Sequence, residues 1–496
     1  MSTAHRLVLV SNRLPIVIEK REHQWQVSPA AGGLVTALAP MLTQRGGLWI
    51  GWPGVEAEPG VDWASLLVEG GRAAGYELLP VWISPTDLDG FYLGFTNSLL
   101  WPLFHTMPER CQFDPEAWST YRRVNDQFAE AVASQVRPGD FVWIQDYHLI
   151  HVGERLRELV PGVRVSFFLH IPFPPLDLFL KVPWRMDLLR ALLAYDLVGF
   201  QTQRDMRHFL FGLNRIHPGL QTSGRGSLVQ VHIEGRSLRV GAFPIGIDYR
   251  DYRSKAQSSR IRSLRDHLAA SVDHRQVVLG VDRLDYTKGV PEKLLAYESL
   301  LERYPEHREK VVLLQVLVPS RAGVSHYQAL KDRIDRLVGA VNGRFGTTGW
   351  TPVRYLYRAV SREELVALYR LAQVCFVNPL KDGMNLVAKE YCACQVDRAR
   401  GVLVLSEFAG ASGQLQRGAL LVNPYDTESV GDALHEALTM PPEARRARMA
   451  RLQEVIRRQD VFWWAEEVLR ASGTAEPPDV PAREEYMPRF SMEIDD

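Results

Sequence analysis

The chain has 496 residues, and its 58 Lys and Arg balance 58 Asp and Glu to a formal net charge of zero. That length exceeds a single core and predicts two domains of roughly 200 to 250 residues, while the absence of a charge excess argues against nucleic acid or an anionic membrane as partner. The four cysteines, Cys111, Cys375, Cys392 and Cys394, are too few and scattered for a disulfide framework. No apolar run reaches the length of about 18 residues that a bilayer demands, and the N-terminus lacks a signal-peptide pattern, so a cytoplasmic protein acting on small molecules is expected. Its oligomeric state is left open, a homo-oligomer included.

In chain order, the first half carries apolar runs at Leu7 (LVLVS), Phe141 (FVWIQ), Val163 (VRVSFFLH), Tyr195 (YDLVGFQ) and Val240 (VGAFPIG), with helical stretches between them. The second half repeats the rhythm at Val277, Val311, Val353, Val374, Gly401 and Leu420. Such alternation predicts two doubly wound α/β domains with parallel sheets covered by helices on both faces. PIGIDYRDY, Pro244 to Tyr252, marks the change of domain. The expected division is 1–246, then 247–458, a helix over 459–472 carrying the FWW triplet back to the first domain, and a flexible, acidic tail over 473–496. Ligands of such sheets bind beyond the carboxyl ends of the strands, so the two domains are expected to face one another across a cleft.

Polar groups recur at those strand ends. In the first half, Arg13 follows the first strand in SNRLP, Gly32 and Gly33 enter a helix in AGGL, Asp146 follows a strand in IQDYH, and His170 ends one in FFLHIP. Between them lie Trp49, Trp52, Tyr92 and Trp101, aromatics suited either to core packing or to stacking on sugar faces. In the second half, Arg283 and Lys288 of VDRLDYTKG offer a guanidinium fork and a point charge to a diphosphate, and Arg321 follows another strand. The most informative stretch is VNPLKDGMNLVAKEY, where a strand, a Gly-containing loop and a helix succeed one another. The free N–H groups of Gly383, Met384, Asn385 and Leu386 there make an anion site, with Glu390 placed to meet ribose hydroxyls.

The segments SNRLP, AGGL, GGLWIGWPG, WIQDYHL, FFLHIPFP, RLDYTKG, PLKDGMNLVAKEY and VLVLSEFAGA, in this order, resemble the trehalose-6-phosphate synthases, retaining glycosyltransferases with two Rossmann-like domains in the arrangement called GT-B. The likeness runs from about Leu7 to Leu469 and implies transfer of glucose from a nucleotide sugar, usually UDP-glucose, to glucose 6-phosphate. It assigns Arg283 and Lys288 to the donor diphosphate, and Gly383, Met384, Asn385, Leu386, Val387 and Glu390 to the nucleotide. Gly32 and Gly33 would belong to an N-terminal loop touching the donor, and Val360 would meet the base through its main chain. His170 and Asp382 would hold hydroxyls of the transferred glucose; Arg13, Tyr92 and Arg321 would grip the acceptor phosphate, Asp146 an acceptor hydroxyl, and Trp101 would shape the acceptor pocket. No metal or organic cofactor is implied.

Three weaker signals are set aside. The triplet Asp87–Asp89 does not follow a clear strand, His148 and His151 lack a third metal ligand, and GASG at Gly410 to Gly413 lacks the final Gly of a nucleophile elbow. The alternatives in view are a relative using another acceptor such as glycerol 3-phosphate, a pseudo-glycosyltransferase, a non-catalytic sugar-phosphate sensor, and a pyridoxal-phosphate glycan phosphorylase. Arg283, Lys288, Asp382 and Glu390 are all present, against the sensor. The chain also ends too early for an appended phosphatase domain, so the product is expected to keep its phosphate.

Overall fold

A strand covered by helices on both faces buries every side chain, and the aliphatic runs behave accordingly. The computed structural model describes residues 6–22, 24–30, 33–233, 235–320, 325–396, 401–473 and 481–488. Its strands are β1 (Leu7–Arg13), β2 (Ile16–Arg21), β3 (Gln24–Pro29), β4 (Leu48–Trp52), β5 (Glu77–Pro80), β6 (Phe141–Gln145), β7 (Arg164–Leu169), β8 (Leu197–Phe200), β9 (Gln221–Ser223), β10 (Leu228–Ile233), β11 (Arg236–Ala242), β12 (Gln276–Arg283), β13 (Val311–Val318), β14 (Val353–Leu356), β15 (Val374–Val377), β16 (Val402–Ser406) and β17 (Leu420–Val422). Every residue of β4, β6, β15 and β16 is buried.

Contacts divide the chain into two units, 1–248 with 459–482, and 249–458 with 483–496. The first holds a nine-stranded sheet in the order β5-β4-β1-β6-β7-β8-β11-β10-β9. It is parallel from β5 to β11, but β10 and β9 add on antiparallel, so this sheet is mixed rather than wholly parallel as expected. A hairpin of β2 and β3 stands apart from it. The second unit holds a six-stranded, all-parallel sheet in the order β14-β13-β12-β15-β16-β17. In both sheets the chain first builds outward from a central strand and then returns to build the other way. The reversal falls between β1 and β6 in one and between β12 and β15 in the other, the place where doubly wound folds hold ligands.

The helix Val461–Gly473 closes the first unit. Trp464 is fully buried, its ring against Trp143 and Phe168 at 5.0 and 5.1 Å, and its indole N–H donates to the Phe243 carbonyl at 3.1 Å. Gly246 permits this approach, because a Cβ there would stand 2.3 Å from the carbonyl carbon of Asp460. Within the stretch expected to be a flexible tail, residues 483–488 instead belong with the second unit. Glu484 pairs with Arg417 at 2.6 Å, and its backbone leaves no room for a Cβ on Gly413. Among the described residues, no helix is long and apolar enough to cross a membrane.

Candidate active site

In the second unit the loops after β12 and β15 are stitched together. Asp285, fully buried, accepts from the Thr287 N–H and hydroxyl at 3.0 and 2.9 Å, shaping a short 3-10 turn, Tyr286–Lys288. The Leu380 N–H then donates to the Thr287 carbonyl at 2.8 Å. Gly289 makes the crossing possible: its φ is +62°, and a Cβ would meet the Asn378 carbonyl oxygen at 2.4 Å. This brings Lys288 Nζ to 2.6 Å from Asp382 Oδ2, with both side chains 13% exposed. Arg283, the last residue of β12, keeps its guanidinium half exposed, 3.9 Å from Asp285.

The following helix begins at Leu386, so Gly383 and Met384 precede it, and Asn385 is its cap rather than part of its first turn. Asn385 adopts φ 80° and ψ 91°, a strained backbone for a residue with a side chain. Its Oδ1 accepts from the Ala388 N–H at 3.2 Å, and its Nδ2 donates to Asp382 Oδ2 at 3.1 Å. The N–H groups of Leu386 and Val387 are thereby left at the positive end of the helix dipole, beside Lys288. Asp382 is held from below by Gly410, whose N–H donates to the Asp382 carbonyl at 3.1 Å. A Cβ on Gly410 would lie 1.7 Å from the Gly383 oxygen, so the glycine of the GASG stretch serves close packing.

Glu390 faces inward. Its carboxylate accepts from the Tyr369 hydroxyl at 2.8 Å and is only 8% exposed. Burial raises its pKa, opposed by hydrogen bonds from Tyr369 and Tyr252 and by the charge of Arg362. Arg362 itself lies over the Tyr252 ring, 4.7 Å from its centroid, with its charge shared with Asp251. Val360 is half-buried in the loop between β14 and the helix Arg362–Leu371, again past a strand's carboxyl end. Arg321 lies outside the described residues.

In the first unit, Arg13 is the last residue of β1 rather than past it, where the pairing with β4 shifts register. Its guanidinium lies 4.8 Å from the centroid of the Trp52 ring, and it passes so close to Gly54 that any Cβ there would collide with it. Burial lowers the pKa of Arg13, with nearby Tyr92 acting in the opposite sense. Tyr92 belongs to a twelve-residue π-helix, Asp89–Leu100, and stacks on His148 at 5.8 Å. Runs of this wide helix are uncommon and concentrate at functional sites. Trp101, buried, continues that helix and packs on His105 and Tyr147. Trp49 is a core residue, fully buried with its N–H donated to the Ser11 hydroxyl at 2.8 Å, and is removed from the sugar-stacking candidates.

Asp146, just past β6, has φ 73° and accepts from the His170 N–H at 3.1 Å, tying the ends of β6 and β7. The His170 ring bridges two glutamines. Gln145 Oε1 can only accept, so Nε2–H of His170 donates to it at 2.8 Å; Gln201 Nε2 can only donate, so Nδ1 accepts from it at 2.9 Å. Gln201 is fixed in turn by the Ile245 N–H at 2.9 Å. Burial pushes the His170 pKa down to about 3, so the ring is neutral in a single tautomer. Gly33 opens the helix Gly33–Arg45, while Gly32 lies outside the described residues. His148 and His151 diverge, the first in the Tyr92 and Tyr147 aromatic cluster, the second buried beside Glu154 at 3.2 Å.

Sequence reasoning missed the supporting residues: Gln145 and Gln201 at His170, Tyr252, Tyr369 and Arg362 at Glu390, and Asn385 as the brace of Asp382. Buried amides at the ends of β6 and β8 were the available signal.

The sequence profile of glycosyltransferase family 20 matches residues 5–472. An alpha,alpha-trehalose-phosphate synthase (UDP-forming) A of Dictyostelium discoideum is 40% identical over 462 residues, covering 92% of this chain, which spans 61% of that protein's length. An alpha,alpha-trehalose-phosphate synthase (UDP-forming) of Candida albicans is 39% identical over 470 residues, 94% of this chain and 96% of the relative. Among solved structures, an alpha,alpha-trehalose-phosphate synthase (UDP-forming) from Burkholderia xenovorans in complex with glucose-6-phosphate matches with a TM-score of 0.84 at 35% identity, covering 95% of this chain and all of that one.

Proposed function

Because the chain belongs to glycosyltransferase family 20, we propose that it transfers glucose from UDP-glucose to glucose 6-phosphate with retention, giving α,α-trehalose 6-phosphate and UDP. The observation that carries this reading is the pairing of Arg283 and Lys288 with a helix N-terminus at the β12/β15 reversal, in a chain matched along nearly its full length by UDP-forming synthases.

The donor belongs to the second unit in this reading. Its diphosphate meets Arg283, Lys288 and the N–H groups of Leu386 and Val387, with Glu390 toward the ribose and Val360 toward the base. As the bond from the anomeric carbon to the diphosphate oxygen breaks, its electron pair stays on the phosphate. The cations and the helix dipole stabilise that growing charge more than they stabilise the bound substrate, which lowers the barrier. The acceptor belongs to the first unit, with Arg13 and Tyr92 for its phosphate, Asp146 for a hydroxyl and Trp101 as an apolar wall. The acceptor hydroxyl attacks the same face that the phosphate leaves, and its proton passes to a phosphate oxygen, so no protein nucleophile is required. Asp382 holds a hydroxyl of the glucose in transit, and His170, whose two ring nitrogens are engaged by Gln145 and Gln201, reaches the sugar only by exchanging one of those partners. The reading needs no metal or organic cofactor, and it places the enzyme in the cytoplasm, in keeping with four free cysteines.

The test is a panel of UDP-, GDP- and ADP-glucose crossed with glucose 6-phosphate and glycerol 3-phosphate, with and without EDTA. UDP release and a non-reducing disaccharide phosphate are expected from the first pair, at a rate EDTA leaves unchanged. Absence of nucleotide release from every combination refutes the reading.

A further inference from the structure

We propose that Glu306, His307 and His435 form a binding site for one first-row divalent transition-metal ion, separate from the sugar-transfer chemistry. The three residues come from two elements of the second unit, the 3-10 turn Pro305–His307 and the helix Thr427–Thr439. Their ligand atoms all lie within 4.8 Å of one another. His307 Nε2 and His435 Nδ1 are 2.9 Å apart, and Glu306 Oε1 is 3.8 Å from the same His435 nitrogen.

Two imidazole nitrogens can share a proton at that distance, but they can equally share a metal. With metal–nitrogen bonds of roughly 2.0–2.1 Å, two nitrogens bound at a right angle stand about 2.9 Å apart, and at a tetrahedral angle about 3.3 Å. The observed separation matches the first geometry and falls a few tenths of an ångström short of the second, and the rings need only turn to aim both lone pairs at one ion. Tyr304 stacks on His435 with centroids 3.8 Å apart and planes 11° from parallel, and its hydroxyl donates to Asp432 Oδ1 at 2.8 Å. Asp432 also pairs with Arg303, so that carboxylate is committed to holding the stack. His307 is 5% exposed, so its ring is held by the packing around it. Two imidazoles and one carboxylate suit Co²⁺, Ni²⁺, Cu²⁺ or Zn²⁺ and are a poor match for Mg²⁺ or Ca²⁺, which take oxygen ligands. Glu306 is exposed and His435 half-buried, which leaves an entry path and room for water to complete the coordination.

The cluster lies at the wrong edge of the sheet to join the sugar-transfer chemistry. His307 precedes β13 and so sits at the amino ends of the parallel strands, whereas Arg283, Lys288 and Asp382 follow the carboxyl ends of β12 and β15. A metal here would clamp the turn after the helix Val290–Arg303 onto the helix Thr427–Thr439, and would stabilise the folded unit by mass action.

Tag-free, full-length protein stripped with chelator is titrated with Co²⁺, followed by visible absorption, and with Ni²⁺, followed by calorimetry. One equivalent is expected to bind, and the thermal midpoint to rise with Ni²⁺. His435→Gln and Glu306→Gln are expected to weaken binding by more than the roughly 10–100-fold that loss of an outer partner costs, to lose the midpoint shift, and to keep wild-type sugar transfer. Wild-type protein that binds neither ion, or variants that bind as the wild type does, would overturn the proposal.

Discussion

Replacing Lys288 by Met separates the two jobs assigned to that ammonium. In the free protein it neutralises Asp382 across 2.6 Å, with each side chain 13% exposed. Breaking a fully buried pair from one side costs about 3–5 kcal/mol. Here the residual exposure and the second donor to Asp382, Asn385 Nδ2 at 3.1 Å, reduce the expected loss of stability to about 2 kcal/mol. In the reaction, the same ammonium faces the departing diphosphate, and its removal is expected to raise the barrier by about 3 kcal/mol, roughly a hundredfold in kcat/KM. Urea unfolding and steady-state UDP release measure the two effects separately. The double variant Lys288→Met with Asp382→Asn leaves no charge alone, so it should regain most of the lost stability and yet remain at least as slow as the single variant. Recovery of turnover together with stability would mean that Lys288 acts only by shielding Asp382, and the electrostatic account of catalysis would fail.

Three further outcomes follow from the same geometry. An unfolded histidine takes up its proton near pH 6.5, but folded His170 does not until about pH 3; its contribution to stability is therefore complete above pH 6.5 and falls by up to about 1.4 kcal/mol per pH unit as the pH drops through that window. Urea midpoints between pH 7 and 4 should slope less steeply in His170→Gln, and equal slopes would contradict the buried, neutral ring. Gly410→Ala drives a methyl into the Gly383 carbonyl and should displace the Asp382 loop, cutting kcat/KM by about a hundredfold through misplacement alone; unchanged kinetics would show that the loop is not part of the site. Trp464→Ala empties a fully buried position and should destabilise the first unit by about 3–5 kcal/mol in urea, whereas a loss below about 1 kcal/mol would make the returning helix an ornament.

The sequence made the strand ends legible because two-sided burial demands nearly continuous apolar residues, and a polar residue that ends such a run stands out. Arg13, Asp146, His170, Arg283 and Lys288 are all found this way. Their partners were hidden, since Gln145 and Gln201, or Tyr252 and Tyr369, come from strands and helices whose adjacency is a property of topology. The π-helix at Tyr92 was invisible because its hydrophobic positions match no α or β period. Trp49 was ambiguous for a related reason: composition places an aromatic near a strand but does not say toward which face it turns. The antiparallel addition of β9 and β10 escaped notice because QTS and LVQVHI are short and partly polar, as strands at a sheet's margin are.

The return of Val461–Gly473 to the first unit has a consequence for biosynthesis. As the chain leaves the ribosome, Trp143 and Phe168 emerge more than 290 residues ahead of the Trp464 that covers them. The first unit to be translated is thus the last that can finish its core, while residues 249–458 can complete theirs from contiguous chain. An apolar surface waits uncovered through most of synthesis, the condition under which nascent proteins aggregate or recruit chaperones, and a transcript cut short before codon 461 would release a product with that surface permanently bare.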